Sequence, residues 1–147
     1  MKKILAISSS GGHWVQLMRL SPLFTEYEMI YCSTDKSARP YEAKKFFTVR
    51  DASMWNKFGL LIMAGQILFY LLIHRPNVII TTGAAPGYFA IVFGKMMGIK
   101  TIWLDSIANV REMSLAGKKA KYWADLYLTQ WPDIVSENGP RYMGAVL

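Results

Sequence analysis

The chain has 147 residues, enough for one domain with a sizeable core, and carries a formal net charge of +7 with an isoelectric point near 9.6. That balance calls for a negatively charged partner such as a nucleic acid, an anionic membrane or a phosphorylated substrate. An apolar content of 52% with a mean hydropathy of +0.18, and basic residues scattered outside any nucleic-acid-binding motif, turn the choice away from nucleic acid. A single cysteine, Cys32, excludes a disulfide framework, and two histidines without a second cysteine supply no metal constellation. No cofactor is expected either.

In chain order, Lys3 to Ser8 reads as a buried parallel strand. It runs into Ser8-Ser9-Ser10-Gly11-Gly12-His13, after which Trp14, Val15, Leu17, Met18 and Leu20 recur with helical spacing from His13 to about Phe24. Pro22 ends that helix or starts its last turn afresh. Small residues between a strand and a helix let a ligand approach the backbone, and the helix N-terminus offers unpaired N–H groups and a positive dipole. Ser9, Ser10, Gly11 and Gly12 are therefore candidates for holding a diphosphate, the alternative being a plain tight turn. The third glycine of the dinucleotide fingerprint and the Gly-Lys-Ser/Thr of a P-loop are missing.

Tyr27 to Cys32 is the second strand, with Cys32 as a small core residue, and Phe46 to Val49 is the third. The basic stretch between them, with Lys36, Arg39, Lys44 and Lys45, either meets anionic headgroups or is simply solvated. A long helix follows from Trp55 to Ile73, and the sixteen residues from Phe58 to Ile73 include no charge. They would reach about 24 Å, short of the roughly 30 Å of a hydrocarbon core, so the helix is not expected to span. It either lies sunk in a membrane surface or is covered by protein. In the first case Trp55, Phe58, Leu61, Ile62, Leu68, Phe69 and Leu72 make the contact, with Lys57, Tyr70 and Arg75 at the headgroups.

His74-Arg75-Pro76-Asn77 stops the helix, and Val78 to Thr81 forms the fourth strand. Thr82-Gly83-Ala84-Ala85-Pro86-Gly87 reads as a second small-residue loop before a helix from Tyr88 to Met97 capped by Gly98. Gly83 and Gly87 permit a tight turn there, or contact substrate. Lys100 to Leu104 is the fifth strand, a short helix near Ser114 to Trp123 follows, and Asp125 to Thr129 is the sixth strand. Beyond Trp131-Pro132 a short helix and a strand from Met143 to Leu147 complete the pattern. This alternation predicts an α/β, doubly wound, mostly parallel, Rossmann-like sheet forming a single domain over 1–147. Both glycine loops then fall at strand C-termini, where such sheets bind ligands.

Three segments together carry a family resemblance: Ser9 to His13, Ile80 to Gly87, and Trp103-Leu104-Asp105-Ser106-Ile107-Ala108-Asn109-Val110, continuing into Ser114 to Lys118 and Ala124 to Pro132. In this order they resemble the PssD-type, Alg-fourteen-like family, the acceptor-side, membrane-associated subunits of split UDP-sugar glycosyltransferases. More distantly they resemble the N-terminal half of MurG-type transferases. The resemblance implies one lobe of a GT-B glycosyltransferase that holds a polyprenyl-diphosphate-linked saccharide acceptor at the cytoplasmic face of the plasma membrane, as a peripheral or monotopic protein. A separate donor-binding subunit would hold the UDP-sugar, and the pair would act in capsular or exopolysaccharide synthesis. Eukaryotic relatives carry an N-terminal spanning segment, whereas this chain opens directly on its first strand.

Sugar transfer needs a base near the acceptor hydroxyl. His13 is one candidate, with helix capping or substrate orientation as the other role open to it. Asp105, at the end of the fifth strand, is the second candidate, as base, as sugar ligand, or as a turn residue capping its loop. Asn109 and Arg111 follow in the same loop; Arg111 holds phosphate or is a solvated charge. Two other functions remain open on the sequence: a non-catalytic membrane scaffold that activates a partner, and a stand-alone nucleotide-binding domain.

Overall fold

The computed structural model describes residues 1–146. Seven parallel strands form one sheet in the order β3-β2-β1-β4-β5-β6-β7, with β1 Lys3–Ile7, β2 Glu28–Ser33, β3 Lys45–Thr48, β4 Val78–Thr81, β5 Lys100–Leu104, β6 Leu126–Thr129 and β7 Arg141–Tyr142. The chain moves outward from β1 to β3 and returns to lay β4 on the other side of β1. The reversal between β1 and β4 is the topological switch point where such sheets open a crevice. The doubly wound architecture expected from the alternation is present, and the strand bounds agree to within a residue except at the C-terminal end. There β7 is a two-residue strand at Arg141–Tyr142, and of the strand expected from Met143 to Leu147, Leu147 lies outside the described residues.

Each face of the sheet has its own core. Helix α1 (Gly12–Arg19) and the 3-10 turn Ser21–Phe24 cover one face, where Trp14, Leu17 and Phe24 pack on Ile4, Ala6 and Ile80. Helices α2 (Lys57–His74), α3 (Ala84–Met96) and α4 (Leu115–Ala120) cover the other, with Met63, Ile67, Leu71, Ala90, Ile91 and Ala120 packing on Leu5, Ile7, Ile30, Ile79 and Trp103. Pro22 does begin a new turn, so α1 is shorter than expected. Cys32 is buried and its thiol is pushed up to about 12 by that burial, which makes it an inert core residue.

Helix α2 is covered on one side only: a stripe every fourth residue, Gly59, Met63, Ile67 and Leu71, is buried. Tyr70, expected at the headgroups, instead donates its hydroxyl to the Thr48 carbonyl at 3.2 Å and stacks on Phe47. Ile62 is half-buried. The opposite face remains open to solvent, with Trp55 93% exposed just ahead of the helix and Phe58, Leu61, Leu68, Phe69 and Leu72 exposed along it. By length and hydropathy α2 is apolar enough to cross a membrane, but its packing makes it a sheet-flanking helix with an unusually greasy outer surface.

Candidate functional site

The loop after β1 ends in Gly11 at φ +83°, a left-handed conformation open to glycine, and this turn delivers the chain into α1. Gly11 and Gly12 are both exposed, and no other part of the chain comes within 4 Å of where a Cβ would stand on either. The turn that opens α1 therefore leaves room for a ligand against its backbone. Ser9 and Ser10 are half-buried. The Ser10 N–H donates to the Thr34 hydroxyl at 3.1 Å, which ties the loop to the segment after β2.

The second glycine turn sits across the switch point. Gly83 (φ +126°) and Ala84 (φ +65°) form an abrupt strand-to-helix junction, and α3 begins at Ala84 rather than Tyr88. A non-glycine residue in the left-handed region is a local strain held by its surroundings. Here the Thr81 hydroxyl accepts the Gly83 N–H at 3.0 Å. Of the two readings open for these glycines, the tight turn fits the geometry. Gly83 is buried beneath the His13 ring, whose atoms lie 3.2 Å from a Cβ placed there. Gly87 is buried one turn into α3, where a Cβ would stand 2.1 Å from Thr81 Oγ1, so it serves close packing of helix on strand.

His13 joins the two turns. Its Nδ1 lies 3.0 Å from the Thr82 carbonyl oxygen, and the Thr82 hydroxyl donates back to the His13 carbonyl at 2.6 Å. A carbonyl can only accept, so Nδ1 carries the hydrogen and the neutral ring keeps its lone pair on Nε2. The half-buried imidazole thus has one nitrogen anchored and the other available as a proton acceptor beside the exposed Gly11-Gly12 turn.

Asp105 does not occupy the crevice as a free base or sugar ligand. It is 1% exposed, and its carboxylate accepts from Trp103 Nε1 (3.0 Å), the Ser114 hydroxyl (2.6 Å), the Ser114 N–H (2.8 Å) and Asn109 Nδ2 (3.2 Å). Four donors saturate its lone pairs and leave none for an acceptor hydroxyl. Of the three readings the sequence left open, the loop-capping one describes this geometry. Asn109, half-buried, spends its amide on Asp105, while Arg111 is exposed with no hydrogen bond or ion pair among the described residues. In the basic stretch, Lys45 is paired with Glu28 at 2.8 Å and Arg39 donates to the Ala43 carbonyl at 2.9 Å, so half of the expected cationic patch is engaged internally.

Sequence reasoning missed Thr82, Gln16 and Gln130. Gln16 lies on the buried side of α1 and Gln130 just after β6, both nearly inaccessible to solvent, and they bond to each other at 2.7 Å. The available signal was a glutamine on the apolar stripe of α1, a buried amide that must find partners.

No protein-family model matches the chain. Among curated proteins it is 27% identical to the UDP-N-acetylglucosamine transferase subunit alg14 of Schizosaccharomyces pombe, over 72% of this chain and 51% of that one. It is 25% identical to the human subunit ALG14, over 98% of this chain and 82% of that one. It thus spans about half the length of the fission-yeast relative. Among solved structures the fold superposes on Acinetobacter baumannii MurG with a TM-score of 0.78 at 9% identity, covering all of this chain and 46% of MurG. A Methanocaldococcus jannaschii UDP-GlcNAc 2-epimerase gives 0.69 at 10% identity, over 87% of this chain and 40% of that one. The sequence resemblance to Alg14-type subunits and the fold likeness to half of MurG are those expected from the motifs.

Proposed function

We infer that this chain, Alg14-like in sequence and MurG-like in fold, is the acceptor-side subunit of a two-component glycosyltransferase that moves a sugar from a UDP-sugar to a lipid-linked diphosphate acceptor. One juxtaposition carries the reading. The exposed Gly11-Gly12 turn at the N-terminus of α1 and the exposed apolar end of α2 open at the same end of the sheet. Helices between parallel strands run antiparallel to them, so α2 begins at the strand C-termini, and Trp55, Phe58 and Leu61 stand at the crevice end. A lipid diphosphate needs such a pairing: unpaired N–H groups for the phosphates and apolar surface for the tail.

The mechanism follows from the residues present. The α1 N-terminus binds the diphosphate, and Lys57 and Arg75 at the two ends of the apolar face favour an anionic bilayer. His13 Nε2 takes the acceptor hydroxyl proton while the nucleoside diphosphate leaves the donor sugar on the partner subunit. The setting is capsular or exopolysaccharide assembly on the cytoplasmic face of the plasma membrane, with this chain held peripherally or monotopically. The test is transfer from UDP-sugars to a polyprenyl-diphosphate-linked sugar, by this chain alone and together with its donor subunit. Turnover is expected only from the pair, and full turnover by the lone chain would refute the division of labour.

The membrane part is tested separately. A Phe58→Glu/Leu61→Glu double variant changes only exposed positions, so its folding should match that of the parent. Each glutamate both removes apolar burial and repels anionic headgroups. Partitioning onto phosphatidylglycerol-containing vesicles should drop by at least tenfold in co-sedimentation, whereas equal partitioning would remove α2 from the membrane contact.

A further inference from the structure

Behind the crevice lies a pair of buried amides that the reaction itself does not require. Gln16 sits on α1, three residues after His13 and nearly a full turn on. Its Oε1 accepts from the Ile107 N–H at 3.1 Å and from Gln130 Nε2 at 2.7 Å, and its Nε2 donates to the Ser106 hydroxyl at 3.2 Å. Gln130 Nε2 donates its second hydrogen to the Asp105 carbonyl at 3.0 Å, and its Oε1 accepts from the Val146 N–H at 2.7 Å. Gln16 and Gln130 are 6% and 2% exposed. The arrangement has one solution. Turning the Gln130 amide over would set its oxygen against two acceptors and its nitrogen against a donor, and a buried polar group so frustrated costs far more than an exposed one.

We propose that Gln16 and Gln130 are positioning residues for His13: their shared hydrogen bonds lock α1 to the loop after β5 and so hold the imidazole on the Thr82 carbonyl, with Nε2 facing the crevice. The inference rests on the role given to His13 above. Helix α1 is otherwise fixed near its first turn by the two His13–Thr82 hydrogen bonds and along its length by nondirectional apolar packing. Packing sets the distance of a helix from a sheet but leaves its rotation and slide weakly determined. A three-way buried amide junction removes both freedoms, and it does so from the strand that neighbours the site on the far side of β4.

The test reads His13 directly and needs no sugar transfer. In the isolated chain labelled with nitrogen-15, long-range imidazole spectra report which ring nitrogen is protonated. The wild-type His13 is expected as a single Nδ1–H tautomer. Gln16→Leu is expected to move it to a mixture containing at least a third of the Nε2–H form, and Ser106→Ala, which removes one partner of Gln16 together with the acceptor of the Ala108 N–H, to shift it in the same direction by less. Ile67→Val on the opposite face of the sheet lowers stability without touching α1 and should leave the tautomer unchanged. If Gln16→Leu is too unstable to fold, Ser106→Ala carries the comparison. An unaltered His13 tautomer in the folded variants overturns the proposal even if the transferase reading stands. Conversely, a shifted tautomer in a protein that never transfers sugar would uphold the junction and count against the proposed function.

Discussion

Replacing His13 with alanine should lower the rate of the reconstituted pair by roughly two to four orders of magnitude, the usual contribution of a positioned general base. The fold should survive, because the shorter tie between α1 and the turn after β4 uses the His13 main-chain carbonyl, accepting from the Thr82 hydroxyl at 2.6 Å, and that bond needs no side chain at position 13. His13→Asn separates two roles. An asparagine amide can reach the Thr82 carbonyl from nearly the position of Nδ1, so it preserves the anchoring hydrogen bond that the imidazole makes at 3.0 Å. It has no basic nitrogen in place of Nε2. A base therefore predicts that alanine and asparagine are equally inactive, with acceptor KM little changed. A residue that merely orients the loop predicts recovery in the asparagine variant, and kcat within tenfold of wild type there would end the assignment of Nε2 as proton acceptor. The scaffold reading predicts that both variants turn over normally.

The sheet was legible because parallel strands buried on both faces are written as short apolar runs between turn signals, as in Ile4-Leu5-Ala6-Ile7 and Val78-Ile79-Ile80. The weaker boundaries have physical causes. Residues 84–87 look like loop by composition, yet α3 starts at Ala84 because Gly83 turns the chain within one residue and Gly87 and Gly94 let the helix lie close on Thr81 and Ile79. The strand after Trp131 is too short for any periodicity to mark. Helix α2 misled in another way: its outer surface is as apolar as its inner one, so no sequence pattern could separate the buried stripe at Gly59, Met63, Ile67 and Leu71 from the open face.

At the site, local chemistry was readable and long-range chemistry was not. The glycine turn and His13 announce themselves within six residues. The tautomer of His13 depends on Thr82, 69 positions away, and the Gln16–Gln130 bond closes a separation of 114. Such pairs leave no trace in spacing. The role of Asp105 stayed open for the same reason: a carboxylate at a strand end does point toward the crevice by rule, but Ser114 and Asn109 come back over it and claim its oxygens.

That geometry makes Asp105 the second position of large effect, and one felt in stability. Asp105→Ala strands four donors in a nearly dry setting: the Trp103 indole, the Asn109 amide and both donors of Ser114. Ser114 is also the N-cap of α4, its hydroxyl accepting from the Gly117 N–H at 2.9 Å, and Gly117 leaves room for the carboxylate, since a Cβ there would stand 2.7 Å from Asp105 Oδ1. Losing the charge therefore loosens the loop, the cap and the start of α4 together. The expected cost is about 3–5 kcal/mol, or a fall in Tm of roughly 10–15 °C for a domain of this size. Asp105→Asn should recover only part of it. The amide oxygen can still take the Trp103 and Ser114 hydroxyl donors, but its nitrogen then faces two further donors and repels them. Thermal unfolding followed by circular dichroism distinguishes this role from catalysis: a base at Asp105 predicts that the asparagine variant melts with the wild type and simply fails to turn over. A wild-type melting temperature for Asp105→Asn would return the carboxylate to the crevice, and a lowered one would fix its role as the hub that holds the loop and the start of α4 together.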